Sequence, residues 1–285
     1  MLTAKDYLTS IKPTWCLGCG NFGIWTAVKT ALAELQIPPH KVAAVFDIGC
    51  GGNSANWYNC YTFHSLHGRT LPVAFGAKLA NSDLTVLAIA GDGGAYGEGG
   101  NHFIYNCRAN MDLTFIVSNN QLYSLTTGQA SPTTEPGTAT KSTPDGAIEQ
   151  DLNPLQVAIA SGATFVARAF SDDVKHLTEI LKSAITHRGF ALVDILQPCV
   201  TLNKINTRDW FKERIYKLET GSWKPTDKNK AFIKAGARDG KIPIGIFYQE
   251  KRECYLDKLP ALLKSPLVKH AVKKQNIAAL LNEFK

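Results

Sequence analysis

Gly91-Asp92-Gly93-Gly94 sets one carboxylate among three glycines, and Asn119-Asn120 follows, its second asparagine 28 residues beyond the aspartate. A carboxylate and an amide oxygen on neighbouring strand tips suit Mg2+, which takes hard oxygen ligands in octahedral geometry. The glycines let the backbone come close to a diphosphate. Taken singly, each motif also reads as a plain turn; the spacing and the strand-end context together favour the diphosphate reading. A second group of residues is sulfur. Cys16 and Cys19 form a C-x-x-C, Cys50 lies in Asp47-Ile48-Gly49-Cys50-Gly51-Gly52, and Cys199 in Leu196-Gln197-Pro198-Cys199. Four thiolates can hold zinc or a 4Fe-4S cluster, and spacing alone leaves both open. His64 and His67 in FHSLHGR precede a predicted helix, where they can face a diphosphate or serve as ordinary loop histidines.

These residues need elements to hold them. Phe22, Ile24, Trp25, Val28, Leu32 and Leu35 recur at helical spacing, with Asn21 as a candidate cap and Pro38-Pro39 ending the run. Buried strands are predicted over Val42 to Ile48, Thr85 to Ala90, Leu113 to Val117, Thr164 to Arg168 and Ala191 to Leu196. Further helices are predicted over Leu71 to Leu79, about Asn101 to Cys107, from Pro154, from Asp172 to about His187 with Ser171 as cap, and from about Leu267 to Phe284. Thr126 to Asp151 has no period and reads as a long loop, a length that usually serves function. The alternation predicts an α/β fold, a mainly parallel sheet flanked by helices over residues 1–202, with a basic C-terminal extension over 203–285. Cys50, Asp92, Asn119, Asn120 and Cys199 then all fall just past strands, where open parallel sheets bind ligands.

The chain has 285 residues, 45% hydrophobic and 19% charged, the composition of a globular protein and not of a disordered or fibrous one. No apolar run approaches the roughly 20 residues of a membrane span, and the first ten residues lack the apolar stretch of a signal peptide, so no membrane partner and a cytoplasmic location are expected. The net charge of +7 is unevenly spread: 19 basic and 9 acidic residues lie from Asn203 onward, 12 and 15 before it. A nucleic-acid module on the basic part is the competing class, but no recognition helix or zinc finger is legible there, and no nucleic-acid partner is expected. Seven cysteines without an export signal argue against a disulfide framework.

The motifs WCxGCGNFGI, GCGG, HSLHGR, GDG, NN, LTTGQASPT and LQPC, in this order from about Trp15 to Lys217, resemble the β subunit of the 2-oxoacid:ferredoxin oxidoreductases, with a weaker echo at Ile242 to Gln249. The resemblance implies thiamine diphosphate held through Mg2+ on Asp92, Asn120 and the Leu122 carbonyl. Ile48, Gly49, Cys50, Gly51, His67, Gly91, Gly93, Gly94, Ser124 and Leu125 would line the cofactor site. It implies a 4Fe-4S cluster on Cys16, Cys19, Cys50 and Cys199, with Cys60, Cys107 and Cys254 left as ordinary thiols and Arg69 fixing its loop or facing a partner chain. The implied reaction is oxidative decarboxylation of a 2-oxoacid to acyl-coenzyme A and CO2, with electrons passing through the cluster to ferredoxin. A partner α subunit, sometimes fused to a γ domain, would bring the activating glutamate and the coenzyme A site. The lysine-rich surface from Asn203 would attract an acidic ferredoxin. The alternative is a non-redox thiamine lyase or decarboxylase with structural zinc on the same cysteines.

The sequence departs from the family at two positions. Archaeal members carry lysines, attributed to substrate carboxylate recognition, where this chain has Asn53 and Thr127. A substrate range shifted towards another 2-oxoacid, or a cation supplied by the partner, is the expectation.

Overall fold

Apolar, β-branched runs bounded by glycine or polar residues become the strands, and amphipathic runs become the helices. The computed structural model describes residues 1–237, 239–270 and 277–284. Its strands are β1 (Val42–Phe46), β2 (Tyr61–His64), β3 (Thr85–Gly91), β4 (Leu113–Asn119), β5 (Leu122–Tyr123), β6 (Gln129–Ala130), β7 (Phe165–Phe170), β8 (Phe190–Leu196), β9 (Ile215–Lys217) and β10 (Ile242–Gln249). Its helices are α1 (Asn21–Glu34), α2 (Thr70–Ala80), α3 (Gly100–Ala109), α4 (Pro154–Ala160), α5 (Val174–Thr186), α6 (Arg208–Arg214), α7 (Lys228–Ala235), α8 (Pro260–Lys264) and α9 (Ala278–Asn282). A single π-helical turn over Gly93–Glu98 joins β3 to α3.

Eight strands form one sheet in the order β2-β1-β3-β4-β8-β7-β10-β9, parallel from β2 to β7, with β10 antiparallel to β7. Strand side chains alternate between faces, so Val86, Ala88, Ala90, Phe115 and Val117 enter a core with Leu71, Phe103 and Leu155 of α2, α3 and α4. Leu87, Ile89 and Ile116 enter the other core, beneath α1 and α5. Burial on both faces is what makes these strands near-continuous apolar runs. It also aligns β1, β3, β4 and β8 side by side, their carboxyl ends opening at one edge. The segment after residue 203 adds β9 and β10 to this same sheet.

Several local expectations change. The cap of α1 is Gly20, not Asn21; Asn21 is buried, and its side-chain oxygen accepts a hydrogen bond from Ser118 Oγ at 2.8 Å. The cap of α5 is Asp173, whose carboxylate accepts from the His176 N–H at 3.1 Å, while Ser171 is buried beside Gly20. The helix expected over 267–284 is a 3-10 turn at Leu267–Lys269, then α9; residues 271–276 lie outside the described residues. The apolar side chains of the described parts, Leu267, Val268, Ile277, Leu280, Leu281 and Phe284, are all exposed, so no packing against the domain supports a longer helix there.

Asn110 closes α3 in the left-handed region, with φ 56°, and ties three elements together. Its Oδ1 accepts from Thr164 Oγ1 at 2.7 Å and from the Phe190 N–H at 2.9 Å, and its Nδ2 donates to the Glu253 carbonyl at 3.0 Å. Asn110→Ala strands these buried partners and is expected to lower unfolding stability by about 1–3 kcal/mol in denaturant titrations. Thr164 Oγ1 also meets His187 Nε2 at 2.8 Å, and burial lowers the pKa of that imidazole. Below pH 6.5 the unfolded chain therefore binds the proton first, and stability falls as pH drops towards the folded pKa. His187→Gln should flatten that slope in the same titration run between pH 5 and 7.

Candidate active site at the strand ends

Asp92 sits at the carboxyl end of β3, 1% exposed. Two hydroxyls from the long loop reach its Oδ2, Ser131 Oγ at 2.6 Å and Thr133 Oγ1 at 2.7 Å. Burial nevertheless pushes its pKa up to about 6, so two hydroxyls and nearby backbone N–H groups do not replace the lost water. A carboxylate in this state gains from a cation. Beside it at the end of β4, Asn120 turns Oδ1 onto the Leu122 N–H at 3.0 Å, leaving a lone pair on that oxygen. Asn119 donates to Asp194 Oδ1 at 3.1 Å, and that buried carboxylate also takes Tyr96 Oη at 2.9 Å and Arg168 Nε at 3.1 Å.

Asp47, just past β1, holds the Gly68 N–H on Oδ1 at 2.8 Å, and its Oδ2 lies 3.3 Å from His67 Nδ1 without hydrogen-bond geometry. Burial raises the pKa of Asp47 as well, while the Gly68 N–H and His67 act the other way. His67 Nε2 lies 3.2 Å from Glu98 Oε2, and Tyr123 Oη donates to the same carboxylate at 3.1 Å. Gly94 is required here because a Cβ would overlap Asp47 Oδ2, and a Cβ on Gly93 would overlap the Tyr123 ring. A cavity of about 170 Å³ opens beside them, lined by His67, Asp92, Gly93, Gly94, Asn120 and Tyr123 among others.

The thiols converge beside that cavity. The N–H of Gly20 donates to the Pro198 carbonyl at 3.4 Å, joining the C-x-x-C loop to the turn after β8, and the Trp15 indole N–H donates to the Cys50 carbonyl at 2.6 Å. Burial pushes the Cys19 thiol up to about 11, and the sulfurs of Cys199, Cys50 and Cys16 add to the shift. The Cys50 thiol is raised by burial and then by Cys199 and Cys16, against a Ser124 hydroxyl that lowers it. Thiolates gathered in this way repel one another unless a positive centre stands between them. Among the described residues, no three His, Cys, Asp or Glu side chains are grouped to hold a single metal ion.

Ile48 to Gly51, His67, Gly91 to Gly94, Asn120, Leu122, Ser124 and Leu125 all line the cavity, and Cys16, Cys19 and Cys199 stand beside Cys50 outside it. His64 is exposed on β2 and does not line it. Arg69 fixes the loop, its Nη1 lying 2.9 Å from His102 Nε2. Cys107 and Cys254 are buried and Cys60 half-buried. Sequence reasoning assigned no role to Asp47, Ser131, Thr133 or Gln197. Asp47 could have been found as a carboxylate at a strand end, as Asp92 was; Ser131 and Thr133 offered only hydroxyls in a loop.

Residues 43–195 match the family model "Thiamine pyrophosphate enzyme, C-terminal TPP binding domain", and residues 199–264 match the C-terminal model of the pyruvate ferredoxin oxidoreductase beta subunit. The 2-oxoacid:ferredoxin oxidoreductase subunit beta of Saccharolobus solfataricus is 46% identical, over 87% of this chain and 89% of the relative. The chain belongs to the 2-oxoacid:ferredoxin oxidoreductase β subunits. Another member of this family, the 2-oxoglutarate synthase subunit KorB of Archaeoglobus fulgidus, is 36% identical over 90% of this chain and 93% of the relative. A solved structure, the 2-oxoglutarate:ferredoxin oxidoreductase from Magnetococcus marinus with 2-oxoglutarate, coenzyme A and succinyl-CoA bound, superposes with a TM-score of 0.91. It is 35% identical and covers 100% of this chain and 96% of that one. An α/β oxidoreductase subunit with a thiamine-binding fold is thereby shown, and no helix among the described residues is long and apolar enough to cross a membrane.

The overlap at Gly94 gives a direct test of the cavity. Gly94→Ala should displace Asp47 and His67, lower stability by about 1–3 kcal/mol as overpacking does, and abolish saturable thiamine diphosphate binding measured by calorimetry. Retained binding would separate the cavity from the cofactor.

Proposed function

We propose that this subunit binds thiamine diphosphate through Mg2+ and carries a 4Fe-4S cluster, and that with a partner α subunit it converts a 2-oxoacid and coenzyme A to acyl-CoA and CO2, passing electrons to ferredoxin. The observation that carries the reading is the meeting, at the ends of four adjacent parallel strands, of a buried carboxylate–carboxamide pair with four cysteines. Asp92, Asn120 and the Leu122 carbonyl would hold the cation, an all-oxygen set that suits Mg2+. Thiamine, when bound, supplies the nucleophilic carbon that adds to the keto group and accepts the electrons of the broken carbon–carboxylate bond. The chain's own residues orient and shield it. Ser131 and Thr133 keep Asp92 pointed into the site, glycines 91, 93 and 94 leave room for a diphosphate, and His67 stands over the cavity, oriented between Asp47 and Glu98.

Membership of the family favours a cluster over zinc, because handing electrons to ferredoxin needs a redox-active centre and zinc has no redox chemistry. The cavity supports the need for a partner: its 170 Å³ falls below the roughly 300 Å³ at which small-molecule pockets begin, and among the described residues no glutamate lines it. Edge strand β2 exposes Tyr61 and Phe63, with Leu66 just beyond, an apolar margin suited to another chain. Around the C-x-x-C tip, Leu17 is 98% exposed and Arg208 donates to the Gly18 carbonyl at 3.1 Å, with Lys204 and Lys212 close in sequence. An apolar tip with Arg208 and Lys212 beside Gly18 and Cys19 suits an acidic ferredoxin.

The missing lysine at position 127 has a neighbour. Thr127 adopts φ 79°, and its hydroxyl accepts a hydrogen bond from Lys141 Nζ, so a cation stands next to Thr126 at the cavity wall after all. We read Lys141 as the group that meets the substrate's distal carboxylate, with 2-oxoglutarate as the first substrate to assay. Lys141→Ala is expected to raise the KM for 2-oxoglutarate about tenfold over that for pyruvate, the scale of one charge-assisted hydrogen bond; an unchanged ratio removes Lys141 from the substrate site. Anaerobic co-purification with the α subunit should give about four irons per β chain. One zinc and no iron would favour the non-redox lyase.

A further inference from the structure

Two hydrogen-bonded bridges run from Asn120 to the thiols. The Leu122 N–H fixes Asn120 Oδ1, so Nδ2 must point the other way as a donor. It donates to Ser124 Oγ at 3.2 Å and to Gln197 Oε1 at 3.0 Å. Having accepted that bond, Ser124 directs its own hydroxyl to Cys50 Sγ at 3.4 Å. Gln197 presents Oε1 to Asn120, which turns its Nε2 towards the Pro198 carbonyl at 2.7 Å and Cys19 Sγ at 3.4 Å. Flipping the Gln197 amide would set N–H against N–H at one end and oxygen against oxygen at the other, so a backbone donor and a backbone carbonyl lock the whole relay. Gln197 is 1% exposed, and its contacts are sheltered from competing solvent.

We propose that Ser124 and Gln197 are positioning residues that set the reduction potential of the cluster on Cys16, Cys19, Cys50 and Cys199, and that through Asn120 they couple it to the diphosphate-cation site. The inference rests on the cluster reading above. A donor to a ligand sulfur favours the more negative, reduced state, so each of the two bonds raises the potential. The couple is one electron, supplied by the 2-oxoacid in turnover or by dithionite in titration, and no bond forms or breaks. A cation on Asn120 Oδ1 polarises the carboxamide and strengthens both N–H donations, and hydrogen bonds in series reinforce one another. Loading the cofactor site thus makes the cluster a better acceptor, and by linkage reduction of the cluster tightens the cation site.

The test is a redox titration, followed by electron paramagnetic resonance, of the anaerobically purified α–β complex with and without thiamine diphosphate and Mg2+. Ser124→Ala should lower the reduced-to-oxidised ratio at fixed potential about tenfold, about 59 mV for a one-electron couple. Ser124→Thr, which keeps the hydroxyl, should restore the wild-type value. Loading should raise the wild-type potential and leave that of the Ser124→Ala/Gln197→Met double variant unchanged. If Gln197→Met fails to retain iron, the Ser124 pair alone decides. An iron-replete Ser124→Ala complex with the wild-type potential overturns this inference and leaves the cluster reading standing. A wild-type complex with no iron overturns both.

Discussion

Asp92 carries a carboxylate to a place that water barely reaches, and the cost of that charge organises the structure around it. The long loop from Thr126 to Asp151 folds back so that Ser131 and Thr133 can answer it. Thr133 also meets Asn119 Oδ1 at 2.9 Å, and Asn119 leans on Asp194, which Arg168 and Tyr96 neutralise and bond from beneath. The loop is ordered without a helix because its polar side chains bond both to the sheet's ends and to one another, as Lys141 does to Thr127. The cation proposed for Asp92 would complete an arrangement that the chain has already prepared, since the desolvation that disfavours the lone carboxylate would favour its pairing.

Much of this was legible before the fold was known. Strands buried on both faces announce themselves as runs such as TVLAIA and LTFIV, and residues just past such runs gather at one edge whatever the helices do. That is why Asp92, Asn120, Cys50 and Cys199 could be located together. Roles that depend on a partner distant in sequence were hidden. Ser131 matters through an aspartate 39 residues before it, and Gln197 through an asparagine 77 residues before it; neither pairing leaves a period or a motif. The caps differ for a related reason: Asn21 and Ser171 are good capping types, but Asn21 is held by Ser118 and Ser171 is buried against Gly20, which leaves the ends to Gly20 and Asp173. The basic C-terminal part reads as an extension because charge is visible in sequence, whereas the antiparallel pairing of β10 with β7 is not.

On the proposed function, substrate chemistry and electron transfer would be served by different elements of the same edge. The cavity draws on the ends of β1, β3 and β4 with their glycine turns; the thiols draw on loops before α1, after β1 and after β8. Cys50 belongs to both, in the cavity wall and among the sulfurs, so the shortest route between the two proposed centres would cross a single residue. The π-helical turn at Gly93–Glu98 serves the cavity side: it widens the chain path directly after Asp92, bringing Glu98 back to His67.

The contact between Gly20 and Pro198 has a consequence for durability. It brings the two flanks of the sheet domain together, so a metal centre bound across Cys16, Cys19, Cys50 and Cys199 closes a covalent ring of about 180 residues. A cross-link of that span restricts the unfolded chain by about 5 kcal/mol on the chain-entropy account, comparable to the whole stability of many domains. The inorganic centre would then be a staple as well as a conductor, and a chain that loses it to air would lose its resistance to unfolding along with its ability to pass electrons.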